Sequence, residues 1–138
     1  MLSLLTKLHV LIILGLLLSG CNTMQRIQNS ELMEDFDETF FLYSKHLRWG
    51  HFRQVTTFMT PERIGPAMDQ IDTFKDIRVS KVQPITWILN SEEETIKGEI
   101  VVDYYIVSRS VIRSTSQKQT WRYINDVWKL DTGFPDLK

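Results

Sequence analysis

The spacing of apolar residues changes twice along the chain. Residues 8–18 form an apolar run of eleven residues that only His9 and Gly15 interrupt. From Glu31 the apolar residues recur every three or four positions, as on one face of a helix, and after Lys75 they alternate, as in a strand. The pattern therefore predicts an apolar N-terminal segment, then helices, then a sheet.

Three helices are predicted between Glu31 and Lys75. The first ends near Gly50 and carries an apolar face formed by Phe36, Phe40, Tyr43 and Leu47. The second is short and groups Phe52, Val55, Phe58 and Met59. Thr60 is expected to cap a third helix that starts at Pro61. Gly65-Pro66 should interrupt or kink that helix and leave Met68, Ile71 and Phe74 facing the core.

Strands are predicted over residues 77–89 with a break at Pro84, and over residues 96–106, 117–124 and 127–131. Asn125-Asp126 is a tight-turn pair between the last two strands. Helices that precede the strands, rather than alternating with them, predict an α+β domain with helices on one face of an antiparallel sheet of about four strands.

The N-terminal apolar run is too short for a permanent membrane span of about 20 residues, and it fits the core of a cleavable export signal. It is followed by Leu18-Ser19-Gly20-Cys21, which resembles the lipobox of bacterial lipoproteins. The resemblance implies that residues 1–20 are removed and that Cys21 receives lipid on its thiol and on its new amine. Residues 21–30 would then be the lipidated Cys and a polar tether, and residues 31–138 a single domain. In lipoproteins of the enterobacterial type, an Asp directly after the lipidated Cys resembles a signal for retention at the inner membrane. Position 22 is Asn, so the resemblance implies that the protein is anchored at the periplasmic face of the outer membrane.

Composition narrows the choice of partners. The chain has a formal net charge of −1, and loss of Lys7 with the signal changes it to −2, with no basic stripe that would favour nucleic acid. Cys21 is the only cysteine, so the domain is expected to have no internal disulfide and to depend on its core. Neither a cofactor motif nor the spacing of a metal site is evident, and the acidic run 92–94 is interpreted as a solvated loop.

Two stretches are similar to the nuclear-transport-factor-two-like superfamily. One is the run 47–52 followed by Thr60-Pro61-Glu62, which resembles a helix junction of that group. The other is residues 119–123 with residues 127–130, which resemble its last hairpin. The resemblance implies a cone in which three N-terminal helices cover a curved antiparallel sheet. It also implies that the cone could enclose a pocket, which some members use for isomerisation, dehydration or small-ligand binding. A homodimer formed through the sheet is a further implication of the resemblance.

An isomerase or dehydratase of that group would need a carboxylate base and a hydroxyl that stabilises an oxyanion. Asp103, Tyr105 and Tyr43 are the weak candidates for those roles. The competing interpretation, which we favour, is that Asp103 is a surface carboxylate paired with Arg122 or Arg109. His46 and His51 are five residues apart, a spacing expected to put them on different helix faces and to exclude a shared metal.

The sequence therefore predicts a lipid-anchored periplasmic accessory or binding module without catalytic activity, which acts on an envelope protein or complex. The alternative is an enzyme or small-ligand carrier with a pocket in the cone. An apolar cavity with convergent polar groups would favour the alternative, and a filled cone with an exposed apolar patch would favour the module.

Overall fold

The computed structural model describes the backbone of residues 2–138 and the side chains of residue 9 and residues 24–138. The side chain of Cys21, the predicted site of lipidation, and those of nearly all of the predicted signal lie outside the described side chains. The chain divides into two compact units, residues 1–34 and residues 35–138. No helix in the described part of the chain is long and apolar enough to cross a membrane.

Helices precede a four-stranded antiparallel sheet, as predicted for an α+β domain. The helices are α1 (Leu2–Arg48), α2 (Phe52–Thr56) and α3 (Pro61–Gln70), followed by a 3₁₀ turn at Ile71–Phe74. The strands are β1 (Ile77–Asn90), β2 (Thr95–Ile106), β3 (Val111–Ile124) and β4 (Val127–Leu130). Residues 22–30, predicted as a tether, have helical backbone within α1.

The predicted apolar face of the first helix is confirmed. Its four residues at steps of four, three and four are all buried: Phe36, Phe40, Tyr43 and Leu47. Residues that are three or four apart lie above one another on a helix, so these side chains form one continuous stripe against the sheet.

The structure contradicts the expected interruption of α3 at Gly65-Pro66 and the expected capping of α3 by the Thr60 side chain. The helix continues through Pro66. Two features make the proline tolerable. Gly65, which precedes it, has no Cβ to clash with the proline ring. Pro66 has no N–H to donate to the carbonyl of Glu62, but Glu62 is exposed, so water can satisfy that carbonyl. Thr60 stands at the N-cap position but makes no capping bond, because its hydroxyl donates to Asp131 Oδ1 at 3.1 Å instead.

The sheet is a meander in the order β1-β2-β3-β4. Strand β1 is continuous past Pro84, but its register with β2 shifts between Val79 and Lys81 and again between Pro84 and Thr86. Each bulge adds one residue to β1 and bends it, which curves the sheet. Each also reverses the alternation, which explains why Ile77 and Val79 are buried whereas Lys81 and Gln83, at the next positions of the same two-residue spacing, are exposed.

Each edge of the sheet is protected in a different way. Strand β1 is the long edge, and Pro84 and the bulges interrupt its row of free backbone groups. Strand β4 is short, and its edge is bonded to the segment after α2: Leu130 N donates to Phe58 O at 2.7 Å, and Thr60 N donates to Leu130 O at 2.9 Å.

Candidate functional site

Aromatic side chains fill the space between α1 and the inner face of the sheet. The ring of Phe36 lies 5.0 Å from that of Trp87 and 5.6 Å from those of Trp121 and Trp128, all edge to face. Phe40 stands 5.0 Å from Trp87. Such contacts add about 0.5–1.5 kcal/mol per pair beyond the burial of area. The protein's own aromatic side chains thus pack closely between α1 and this part of the sheet.

A buried polar chain runs through this packing. Gln119, only 2% exposed, donates through Nε2 to the Tyr43 hydroxyl at 3.1 Å and accepts from Trp121 Nε1 at 3.0 Å. Its Nε2 also donates to Gln117 Oε1 at 3.0 Å. Burial raises the pKa of Tyr43, and the hydrogen bond from Gln119 offsets part of that rise. The network pairs the polar atoms of two large aromatic residues inside the core.

The structure does not bring the candidate catalytic residues together. Tyr43 is in the core, whereas Asp103 and Tyr105 flank the inward-facing Tyr104 on β2 and therefore project from the opposite face of the sheet. Asp103 Oδ1 accepts from the Ser114 hydroxyl at 2.7 Å. Arg122, one of its predicted partners, is instead 4.0 Å from Asp131.

An exposed groove of about 550 Å³ lies between α1 and β1. Its rim includes Phe41 and Trp49, which are 65% and 70% exposed, and the basic residues Lys45 and Arg48. Val82 of β1 lines the opposite side. A groove with exposed aromatic side chains beside cationic ones can bind an apolar group that carries or adjoins negative charge. We call this set of residues, together with Asp37, Phe40 and Ser44, the aromatic groove.

The aromatic groove was not predicted from the sequence, although a signal was present. Phe41 follows Phe40 and so falls outside the four-residue stripe that faces the sheet. Trp49 lies beyond the last helical residue, Arg48. Large aromatic residues that do not fit the core period are candidates for contacts with a partner.

His46 and His51 are adjacent, contrary to the prediction from their spacing. Their Nδ1 atoms are 3.3 Å apart and their ring centroids 5.5 Å apart. The helix ends between them, and Gly50 takes a φ of +71° that turns the chain back. Within the described part of the chain, no group of three or more side chains has the arrangement of a metal site.

The sequence matches no protein-family model and no curated protein. The solved structures that align with this chain include two with TM-scores above 0.5, which show its fold. A SEC-C motif containing protein from Rhodopseudomonas palustris aligns with a TM-score of 0.55 and 11% identity over 65% of this chain and 70% of its own. A candidate scytalone dehydratase from Novosphingobium aromaticivorans aligns with a TM-score of 0.54 and 16% identity over 75% of this chain and 81% of its own. The second of these structures has a nuclear-transport-factor-two-like fold, and the fold of this domain is similar to it.

At this level of identity the nuclear-transport-factor-two-like fold is what the likeness establishes, and function has to be argued from the sites of this chain. The predicted resemblance of the domain to that superfamily is therefore confirmed as a fold. The lipobox, the lipid and the location in the envelope stay predictions, because the solved structures do not bear on them.

Proposed function

We propose that this protein is a lipid-anchored accessory module of the bacterial cell envelope, which binds a membrane-associated protein through the aromatic groove. The observation that carries the proposal is the contrast between the filled interior of the cone and the exposed aromatic residues outside it. Phe41 and Trp49 remain exposed in a domain whose core already contains Phe36, Phe40, Trp121 and Trp128, with Trp87 half-buried beside them.

The chemistry of the aromatic groove selects the kind of partner. Aromatic residues and Arg are enriched where protein interfaces contribute most of their binding energy. Lys45 and Arg48 add positive charge to a protein whose overall formal charge is slightly negative. The groove therefore suits a short segment with an apolar side chain flanked by Asp or Glu.

Lipidation of Cys21 supports a membrane-associated partner rather than a diffusible one. Two molecules that are held on one membrane meet at a raised effective concentration, and a weak interface is then sufficient. Acyl chains contribute about 0.8 kcal/mol per buried methylene, so several chains form a stable anchor. We place the anchor on the periplasmic face of the outer membrane, on the basis of Asn22.

The test is site-specific photocrosslinking in intact cells. A crosslinker at position 49 should yield one dominant adduct with an envelope protein, and Lys45→Glu should reduce that adduct. Cys21→Ser should weaken it by removing the anchor. A crosslinker at position 112, where Ile112 is 82% exposed on β3, is the matched control and should not give the same adduct. Equal adducts from positions 49 and 112, or an adduct that is insensitive to Lys45→Glu, would reject the groove as the binding site.

A homodimer formed through the sheet is an additional proposal. The outer face of the sheet exposes Tyr105 and Ile112, which are opposite each other on β2 and β3. Sedimentation equilibrium of the full chain with Ile112→Lys would test it, since a charge at the centre of such an interface should shift the protein to monomer.

An enzyme or small-ligand carrier is the second candidate function. What favours it is that a solved structure with this fold is described as a candidate scytalone dehydratase. The residues to test are Asp103, Tyr105 and Tyr43. If the parent chain turns over a substrate, loss of that activity in Asp103→Asn with unchanged stability would favour the enzyme. If a small ligand is found by screening, binding that is unchanged in Tyr43→Phe and in Asp103→Asn would count against a site formed by these residues.

A further inference from the structure

We propose that His46 and His51 form a binding site for a divalent transition metal ion of the kind that prefers imidazole, with Zn²⁺ as its reference ligand. The two Nδ1 atoms are 3.3 Å apart. Zinc–imidazole bonds of about 2.0–2.1 Å to both atoms would give an N–metal–N angle of about 105–110°, which is the angle of tetrahedral coordination. The separation is thus already that of two ligands on one ion.

The backbone fixes this pair through the way in which α1 ends. Gly50 N donates to Leu47 O at 3.2 Å, and His51 N donates to His46 O at 2.9 Å. These are the two bonds of a Schellman motif, with Gly50 as its left-handed residue. In that motif the side chain of the third residue from the end of the helix, here His46, lies beside the side chain of the second residue after the C-cap, here His51. A hydrophobic pair frequently occupies those positions, whereas here both residues are histidines.

The surroundings leave room for the remaining ligands. His51 is exposed and His46 is half-buried, so water can complete the coordination. Lys45 and Arg48 are exposed, and solvent and salt screen their repulsion of a cation. Each neutral imidazole would bind through the lone pair of Nδ1 and keep its proton on Nε2, where it faces solvent or a hydrogen-bond acceptor.

The site has an internal optical reporter. The ring of Trp49 lies 6.3 Å from that of His51. A bound paramagnetic ion such as Cu²⁺ should therefore quench the fluorescence of Trp49 when it occupies the pair. Zn²⁺, which does not quench in this way, should reverse the effect by competition when it is added in large excess, since imidazole sites bind Cu²⁺ more tightly than Zn²⁺.

The experiment titrates the full chain, purified in detergent, with Cu²⁺ and then with Zn²⁺. We expect saturable quenching with one ion per chain, and a Trp49→Phe variant should lose most of the signal but still bind. His46→Gln and His51→Gln should each weaken binding at least about tenfold, since even loss of an outer-shell partner commonly costs that much. Glu92→Gln, at an exposed position in the turn between β1 and β2, is the control, with unchanged affinity expected.

Nitrogen NMR of the unmodified protein provides a test that does not depend on any variant. Zinc should shift the Nδ1 resonances of two histidines and leave both of them protonated at Nε2. Unsaturable quenching, equal affinity in His46→Gln and the parent chain, or a zinc shift confined to one histidine would overturn the proposal and identify the contact as a hydrogen bond between two neutral rings.

Discussion

The indole ring of Trp87 on β1 packs against the backbone of Gly98 on β2, its partner in the strand register. A Cβ at position 98 would lie 2.2 Å from Cε3 of the ring and 2.0 Å from the carbonyl oxygen of Thr86. Both distances are far below van der Waals contact. Gly98 is therefore the residue that allows Trp87 to lie flat on the sheet and to reach Phe36 and Phe40.

Gly98→Ala should destabilise the domain by about 1–3 kcal/mol, because an added methyl group forces Trp87 and the β1 backbone to move. Urea unfolding followed by tryptophan fluorescence measures this change. Gly133→Ala is the control, since a Cβ there would meet nothing within 4 Å, and it should be neutral or slightly stabilising. Equal stability of the two variants would show that Trp87 does not need the close approach.

Replacing the buried Gln119 by an apolar residue should lower the free energy of unfolding, although its amide is polar and lies in an apolar core. Gln119→Leu removes the partner of the Tyr43 hydroxyl and of Trp121 Nε1 within the core. Leaving buried polar atoms unpaired costs about 1–3 kcal/mol each, so we expect a clear fall in the free energy of unfolding. Gln83→Leu, at an exposed position on β1, should change it by no more than about 0.5 kcal/mol.

A double-mutant cycle with Tyr43→Phe tests the pairing directly. The double variant should lose less than the sum of the two single losses, because the residues share one hydrogen bond. Strict additivity would mean that the bond contributes nothing measurable.

The pKa of Tyr43 gives the stability a dependence on alkaline pH. Burial raises the pKa of this hydroxyl in the folded protein, whereas in the unfolded chain it titrates near its ordinary value of about 10. Above that pH the unfolded state loses a proton that the folded state keeps. The stabilising contribution is complete below pH 10 and falls by about 1.4 kcal/mol per pH unit above it.

Tyr43→Phe removes the titrating hydroxyl, so above pH 10 the free energy of unfolding of the variant should fall less steeply with pH than that of the parent chain, by the contribution of one proton. Other lysines and tyrosines titrate in the same range, so the quantity to compare is the difference in slope between the parent chain and the variant. Parallel stability curves for the two proteins above pH 10 would contradict the raised pKa.

The helical face and the number of strands followed from the sequence because periodicity reports them directly. Phe36 to Leu47 repeat at helical spacing, and β2 alternates without interruption. Strand β1 was only partly predictable, since each bulge inserts one residue and reverses which face a side chain occupies. The first half of β3 was missed because its residues are polar or exposed and are held by backbone pairing with β2.

The candidate site was less accessible to sequence reasoning for a different reason. The five-residue spacing of His46 and His51 predicts separate rings only if both residues belong to one helix, whereas Gly50 marks a chain reversal between them. Combining the glycine with the Schellman geometry would have brought the two rings together. The filling of the cone could not be inferred, because it depends on how Trp87, Trp121 and Trp128 meet one helix face.

Cys21→Ser should abolish lipid attachment, because serine has no thiolate to take the diacylglyceryl group. The parent chain should incorporate labelled palmitate and fractionate with membranes, and the variant should do neither. Asn22→Asp is the control variant that tests the membrane location alone. Because Asp at this position resembles an inner-membrane retention signal, the variant should move to the inner membrane while incorporating as much palmitate as the parent chain. Labelling of Cys21→Ser at the parent level would show that residues 18–21 are not a lipobox, and the accessory role would then need an anchor of another kind.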